Sequence, residues 1–319
     1  MVQTGAHSYV KYGWETTFGT KSSSLDKVFG LQQRISNWST NNSRKVLGTL
    51  NKVEPQNYAY GQQNGSLTVD FVLSNPWIFR ALYGAPSTNS SGSPEVHTYQ
   101  NADKDISPFS VEVGVELGAT DQVRSPLGCI LNSLSIRAGI DDLVNCSANV
   151  SYGKESDAGT SLDSSPPTDD VNFPYTFAHG KLTWGGTEVA EIQSCDITFT
   201  QNANLLYTLN SHQATGAYRQ LFEITGNFQA SMLDSTKFAQ LLDQIEKPNT
   251  EVVSSGMELE FTNGGSGADE KTITITGSGL SIGDYSVTGI EPVNPIFEEI
   301  TWQIKSAVVV AKNNYSTAK

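Results

Sequence analysis

The chain has 319 residues, of which only 17% are charged, and its 33 acids outnumber 20 bases for a net charge of -13. This balance repels polyanions and excludes a tight nucleic-acid binder, though not a surface past which nucleic acid slides without sticking. The N-terminal residues lack a basic and an apolar signal region, and no apolar run approaches the ~20 residues that span a bilayer, so neither secretion nor membrane insertion is expected. Cys129, Cys146 and Cys195 are odd in number and far apart, which favours buried thiols over a disulfide framework or a zinc site.

In chain order, residues 1–20 read as an N-terminal arm, and 37–64 as a loop or hairpin between two early strands. Leu67, Val69, Phe71 and Leu73 then alternate with polar neighbours, the period of a strand buried on one face. "NPWIFRALYG" predicts a short helix over about 76–83, capped by Asn75, with Pro76 at its first position, Ile78 stacked on Leu82, and a stop at Gly84. Residues 84–107 are polar and predict a surface loop. Val111, Val113, Val115 and Leu117 form the next apolar face, with Glu112 and Glu116 opposite.

Leu134 and Ile136, then Val144, Cys146, Ala148 and Val150, repeat the alternation before a second polar stretch at 151–172. Linkers between separate domains are the alternative for both polar stretches, but the strand pattern resumes after each, which favours loops within one domain over 1–319. Cys195, Ile197 and Phe199 alternate next, followed by Phe222, Ile224 and Phe228. A longer helix is predicted over about 234–247, with Asp234 as cap, Pro248 as stop, and Phe238, Leu241, Leu242 and Ile245 as a stripe to be buried. Met257, Leu259 and Phe261 face away from Glu258 and Glu260, and Ile273 with Ile275, then Ile300, Trp302 and Ile304, complete the set. The fold class is mainly β: an antiparallel sandwich or partial barrel flanked by one main helix.

Catalytic signatures are weak. "GLSIG", Gly279 to Gly283, fits the pattern around a nucleophilic serine, but a nucleophile elbow needs a helix after Ser281, and no histidine follows His212. His7, His97, His179 and His212 are scattered singles without metal spacing. The acids Asp103 with Asp105, Asp141-Asp142 and Asp169-Asp170 lack the ligand run of a calcium loop and read as solvated. No catalytic, metal or cofactor residue is therefore expected.

"PYTFAHGKLTWGGTEVAEIQSCDITFTQNANLLYTLNS", followed by "RQLFEITGNFQASML" and the Phe238 helix, resembles the tail tube protein family of tailed bacteriophages and archaeal tailed viruses. "YVKYGWETTFGT" and "LGCILNSLSIRAGIDDLVNCSANVSYGK" resemble that family's openings and central hairpins. The resemblance implies a virion structural protein, assembled in the host cytoplasm, whose subunits join into rings, usually hexameric, that close a β-barrel tube and stack into a channel for viral DNA. Its implied partners are further copies of itself and the tail terminator, the baseplate or tail tip, and the tape measure protein. The stretch 37–64 would then reach the adjacent ring, with Trp38, Tyr58 and Tyr60 as anchors, or else pack on its own subunit. Trp14 and Phe18 are further contact candidates, as is the segment beyond Lys312. Glu112, Glu116, Glu258 and Glu260 would line an acidic lumen or simply face solvent. A β-sandwich adhesin or surface-layer module and another ring-forming tail or baseplate component are the competing expectations.

Overall fold

The computed structural model describes residues 8–100, 106–117, 120–169, 173–189, 191–247, 256–291 and 295–315. Alternating sequences generate its largest element, an eight-stranded antiparallel sheet. Its order is β2 (Leu31–Asn41), β5 (Asn64–Val72), β11 (Asn145–Tyr152), β10 (Ile130–Gly139), β15 (Ile192–Thr200), β18 (Glu223–Ser231), β22 (Phe297–Ile304) and β21 (Ser281–Thr288). In register, Phe71, Cys146, Ile136, Ile197, Gly226 and Trp302 lie abreast on one face. All of these except Gly226 are buried.

Two smaller sheets cover that face. The seven-stranded sheet runs β14 (Thr187–Glu188), β13 (Gly180–Trp184), β19 (Met257–Thr262), β20 (Thr272–Ser278), β23 (Ser306–Asn313), β7 (Glu95–Tyr99) and β6 (Ser87–Asn89). It meets the large sheet where Trp184 packs edge-on against Phe228, ring centres 5.3 Å apart. The four-stranded sheet runs β1 (Tyr9–Trp14), β8 (Phe109–Val115), β9 (Gln122–Leu127) and β12 (Lys154–Gly159). Tyr12 lies 4.8 Å from Phe29, which in turn lies 5.9 Å from Phe71 of the large sheet. The buried side chains form one continuous hydrophobic cluster across all three sheets. Two short ribbons, β3 (Lys45–Leu47) with β4 (Asn57–Ala59) and β16 (Asn204–Leu206) with β17 (Gly216–Tyr218), stand outside the sandwich.

The first helix, α1 (Phe79–Tyr83), is a wedge between sheets, with Phe79 6.0 Å from Phe199 and 6.1 Å from Tyr99. The predicted span 76–83 is shortened because Pro76, Trp77 and Ile78 accept tighter i+3 bonds, while the side-chain Oδ1 of Asn75 accepts the Trp77 N–H. Gly84, at φ 80°, ends it. The second helix, α2 (Thr236–Glu246), is two residues shorter at its start than predicted; Asp234 still accepts the Thr236 N–H at 2.8 Å. Pro248 lies outside the described residues.

Several expectations are corrected. Residues 9–14 of the supposed arm are strand β1, paired with β8 and carrying the fully buried Tyr12. The polar stretch 84–107 contributes β6 and β7, and 151–172 contributes β12. These are edge or near-edge strands, so polar residues suffice on the wet face. The stripe of α2 is not buried as expected: Phe238, Leu242 and Ile245 are 42%, 46% and 66% exposed, and only Leu241 tucks toward the core.

Gly226 shows how tightly the core closes. A Cβ there would sit 2.2 Å from the Trp302 ring and 2.3 Å from the Asp196 carbonyl oxygen, a backbone atom that cannot yield. Overpacking of this kind costs about 1–3 kcal/mol, so Gly226→Val should lower the unfolding free energy by that amount, read as an earlier urea midpoint by circular dichroism.

Candidate assembly surfaces

The outer face of the eight-stranded sheet is built mostly from hydroxyls and amides, with Glu223 and Glu299 among its few charges. Asp70, Ser147, Ser135, Thr198, Thr225 and Gln303 cross it in register from β5 to β22, because each is the odd neighbour of a buried apolar residue. Ser135 and Thr198 share a hydrogen bond at 3.0 Å. Two of its carboxylates are matched by cations on the same face, Asp70 by Arg34 at 3.1 Å and Asp196 by Arg137 at 3.7 Å. Burial lifts the Asp196 pKa more than Arg137 and Asn227 depress it; the hydroxyl of Ser147 and the Arg34 guanidinium, among the bonds around Asp70, outweigh desolvation and hold its pKa low.

The two edges of this sheet differ. Strand β2 is a long outer strand without lysine or proline, the residues that usually blunt such an edge. At the other edge α2 runs beside β21 and is fastened by polar groups. Gln244 accepts the Ile282 backbone N–H at 3.0 Å and donates to Ser281 Oγ; Gln240 accepts from Trp184 Nε1, and Lys237 pairs at 2.5 Å with Glu298, which is fully buried. Lys237, Gln240, Leu241 and Gln244 follow helical spacing, so a largely polar stripe docks and the adjacent apolar stripe stays in solvent. A 380 Å³ cleft opens between Leu241, Ile245 and the strand residues Ile282 to Tyr285.

At the end of the sheet where β2 stops and β5 starts, the chain leaves the sandwich. Residues 44–58 are exposed throughout, with Val46 56%, Leu50 99% and Val53 104% exposed around the β3–β4 ribbon. Tyr58 and Tyr60 are exposed here, with the Arg44 guanidinium 5.0 Å from the Tyr58 ring centre. The hairpin's base is braced by the second ribbon, since the His212 carbonyl accepts the Gln63 N–H and the Tyr207 hydroxyl donates to the Gln63 carbonyl at 2.7 Å. That second ribbon exposes Leu206, Leu209, Tyr218 and Leu221, a set of apolar residues that alternation arguments passed over.

The other candidates pack within the subunit. Trp38 is half-buried on β2, donating to Tyr152 Oη at 3.0 Å beneath the Arg124 guanidinium at 3.9 Å. Trp14 lies against Tyr12 and Phe109 with Arg80 over its ring, and the Phe18 ring closes on Gly128. Glu258 and Glu260 do face outward, but on the seven-stranded sheet, and Glu116 lies just past the end of β8. Residues beyond Tyr315 fall outside the described residues.

Glu112 corrects the one-sided picture of β8. It is 8% exposed and tied to Lys21 at 2.6 Å, Lys11 at 3.0 Å and the Tyr9 hydroxyl at 3.0 Å; Lys11 also pairs with Asp163 at 2.7 Å. Both faces of that strand are therefore covered, one by apolar core and one by ions. Desolvation pushes the Glu112 pKa up, but bonds to Lys21 and Lys11 outweigh it and leave it low; burial opposes the Lys11 charge, yet Asp163 and Glu112 leave its pKa raised.

Candidate chemistry is spent on structure. Ser281 opens strand β21, not a helix, and its hydroxyl accepts from Gln244. His97 is buried against Trp77 and bonded to Thr88 and Asn313; burial lowers its pKa. Asp141 and Asp142 occupy a surface turn, Asp169 is bonded to Ser74 and Asn75, and Asp103, Asp105 and Asp170 lie outside the described residues. All three cysteines are free and buried, with the Cys195 thiol pushed up to about 12 by desolvation. No helix among the described residues is long and apolar enough to cross a membrane.

A family model described as "Phage tail tube protein" matches residues 5–303. The chain belongs to that family. The match spans nearly the whole chain and places the protein among the structural components of the virion tail. A comparison with curated proteins returns no match.

The ion cluster makes a pH prediction. A depressed carboxylate pKa contributes stability that is present above the unfolded-state value and is lost as pH falls through the folded one. Glu112→Gln should cost about 2 kcal/mol at neutral pH and flatten the acid limb of the stability profile, as measured by urea unfolding between neutral pH and the carboxylate range.

Proposed function

We propose that the chain is the repeating subunit of a tail tube, forming closed rings that stack around a lumen through which viral DNA passes. The observation that carries this reading is the match over residues 5–303, joined by a wide sheet with one dry face and one polar, sparsely charged face. The open edge β2 and the exposed stripe of α2 lie at opposite edges of one sheet. That is the arrangement a head-to-tail ring contact requires, since each subunit offers two different surfaces to its neighbours. Closure in this way would set the eight-stranded sheets of neighbouring subunits side by side in one wall, with β2 of one subunit against the α2 edge of the next.

The outer face of the eight-stranded sheet is the lumen surface in this reading. Threonine, serine, asparagine and glutamine offer phosphate no fixed counter-charge, so passing DNA releases no counterions and gains no affinity. Glu258 and Glu260 then lie on the exterior of the tube, and the lumen is more nearly neutral than a wall of unpaired acids. Terminator, tail-tip and tape measure partners belong to the same reading.

Purified protein at rising concentration should form rings or hollow tubes with a regular axial repeat under negative-stain electron microscopy; a persistent monomer, even with a tail initiator added, overturns the reading. Leu242→Asp with Ile245→Asp should abolish rings while leaving the melting temperature within a few degrees of wild type, because both side chains are largely exposed. Thr198→Lys with Asn227→Lys should leave tubes intact but make them retain duplex DNA in low-salt co-sedimentation, whereas Thr274→Lys with Glu260→Lys should not.

A further inference from the structure

The two ends of the eight-stranded sheet carry opposite charge. At the end bearing the ribbons, residues 42–63 hold Arg44, Lys45 and Lys52 against Glu54 alone, and residues 201–222 hold His212 and Arg219 with no carboxylate. Arg219 turns inward onto the Leu82 carbonyl, so the exposed cations are those of the β3–β4 hairpin. In a chain of net charge -13, an exposed hairpin with this excess of cations stands out.

At the opposite end, the turns after β10, before β15 and after β18 expose Asp141, Glu191 and Asp234, and Glu299 sits near the start of β22. Backbone bonds fix these turns together: the Ile140 N–H reaches the Gln193 carbonyl, and the Ser231 N–H reaches the Glu191 carbonyl. Beside them lies a cleft of 270 Å³ lined by Ile140, Asp141, Leu143, Thr176, Phe177 and Ala178. It joins an apolar floor to an acidic rim. The hairpin offers the reverse, apolar Leu50 and Val53 at the tip with Lys45 and Lys52 beside them.

We infer that this cleft is the socket for the hairpin of a second copy in the neighbouring ring, with the apolar tip on the floor and the lysines against Asp141 and Glu191. The assignment rests on the tube reading and adds to it the receiving surface and the force that sets the stacking direction. Opposite charges favour the head-to-tail approach, and two like ends repel, a discrimination of several kcal/mol where charges are brought close. The second ribbon holds the hairpin base at Gln63, so the tip is presented at a set angle.

Charge exchange tests the pairing. Lys45→Glu with Lys52→Glu, and separately Asp141→Lys with Glu191→Lys, should each still give rings but raise the concentration at which rings stack by on the order of tenfold or more. The chain carrying all four substitutions should recover stacking with the wild-type axial repeat, and thermal unfolding checks that each variant folds. In otherwise wild-type protein, Leu50→Cys with Ala178→Cys should yield a ladder of disulfide-linked oligomers on oxidation, since the native thiols are buried. If wild-type rings stack, and either charge variant stacks equally well or the paired cysteines fail to cross-link, the socket is overturned and the tube reading stands. If wild-type protein forms no rings at all, the tube reading falls and the socket falls with it.

Discussion

One constraint organises the molecule: a broad antiparallel sheet must hide one face and can leave the other wet. Alternation along β10, β11, β15, β18 and β22 puts every second side chain inside, and no single partner sheet is wide enough to cover so many strands. Two smaller sheets share the task, and α1 fills the space between layers with Phe79. Several polar groups are drawn into this closure. His97, Asp169 and the three thiols are buried, and Ser281 serves an edge strand.

The same constraint leaves the polar face large and sparsely charged. A monomer with no other duty would not need hydroxyls and amides there in place of the lysines and glutamates that ordinarily keep a surface soluble. Family membership supplies the context in which such a face makes sense, and the unfinished features lie around its perimeter: an open strand, an undocked helix stripe, and a hairpin with little of its own subunit to rest on.

Most of the one-sided strands were legible because their period is simple. Phe71, Ile136, Ile197 and Trp302 are where alternation puts them, and both helices form near their predicted spans. The strands that escaped notice have physical reasons for doing so. In β23, Val308 and Val310 are apolar on the outer face, which blurs the alternation with Ala307, Val309 and Ala311. In β6, β7 and β12, edge positions tolerate polar residues that read as loop. Helix α2 has the cleanest periodic stripe of the chain, yet periodicity alone cannot say whether the stripe meets its own core or another chain. The polar residues at 237, 240 and 244 decide that, through Glu298, Trp184 and Ser281, partners remote in sequence. Glu112 was likewise placed on the correct side of β8, but its lysine neighbours come from β1 and the turn after it, which no local pattern connects.

The side-chain amide of Gln244 takes up the first outward N–H of β21, and with it the simplest way for this sheet to recruit strands at that side. An unprotected sheet with two bare margins invites endless lateral growth of the cross-β kind. Here one margin is bare and the other is guarded by a helix, so free subunits crowded in a cell cannot zip into fibrils by strand addition at both sides. Ordered growth and protection from amyloid thus come from the same asymmetry.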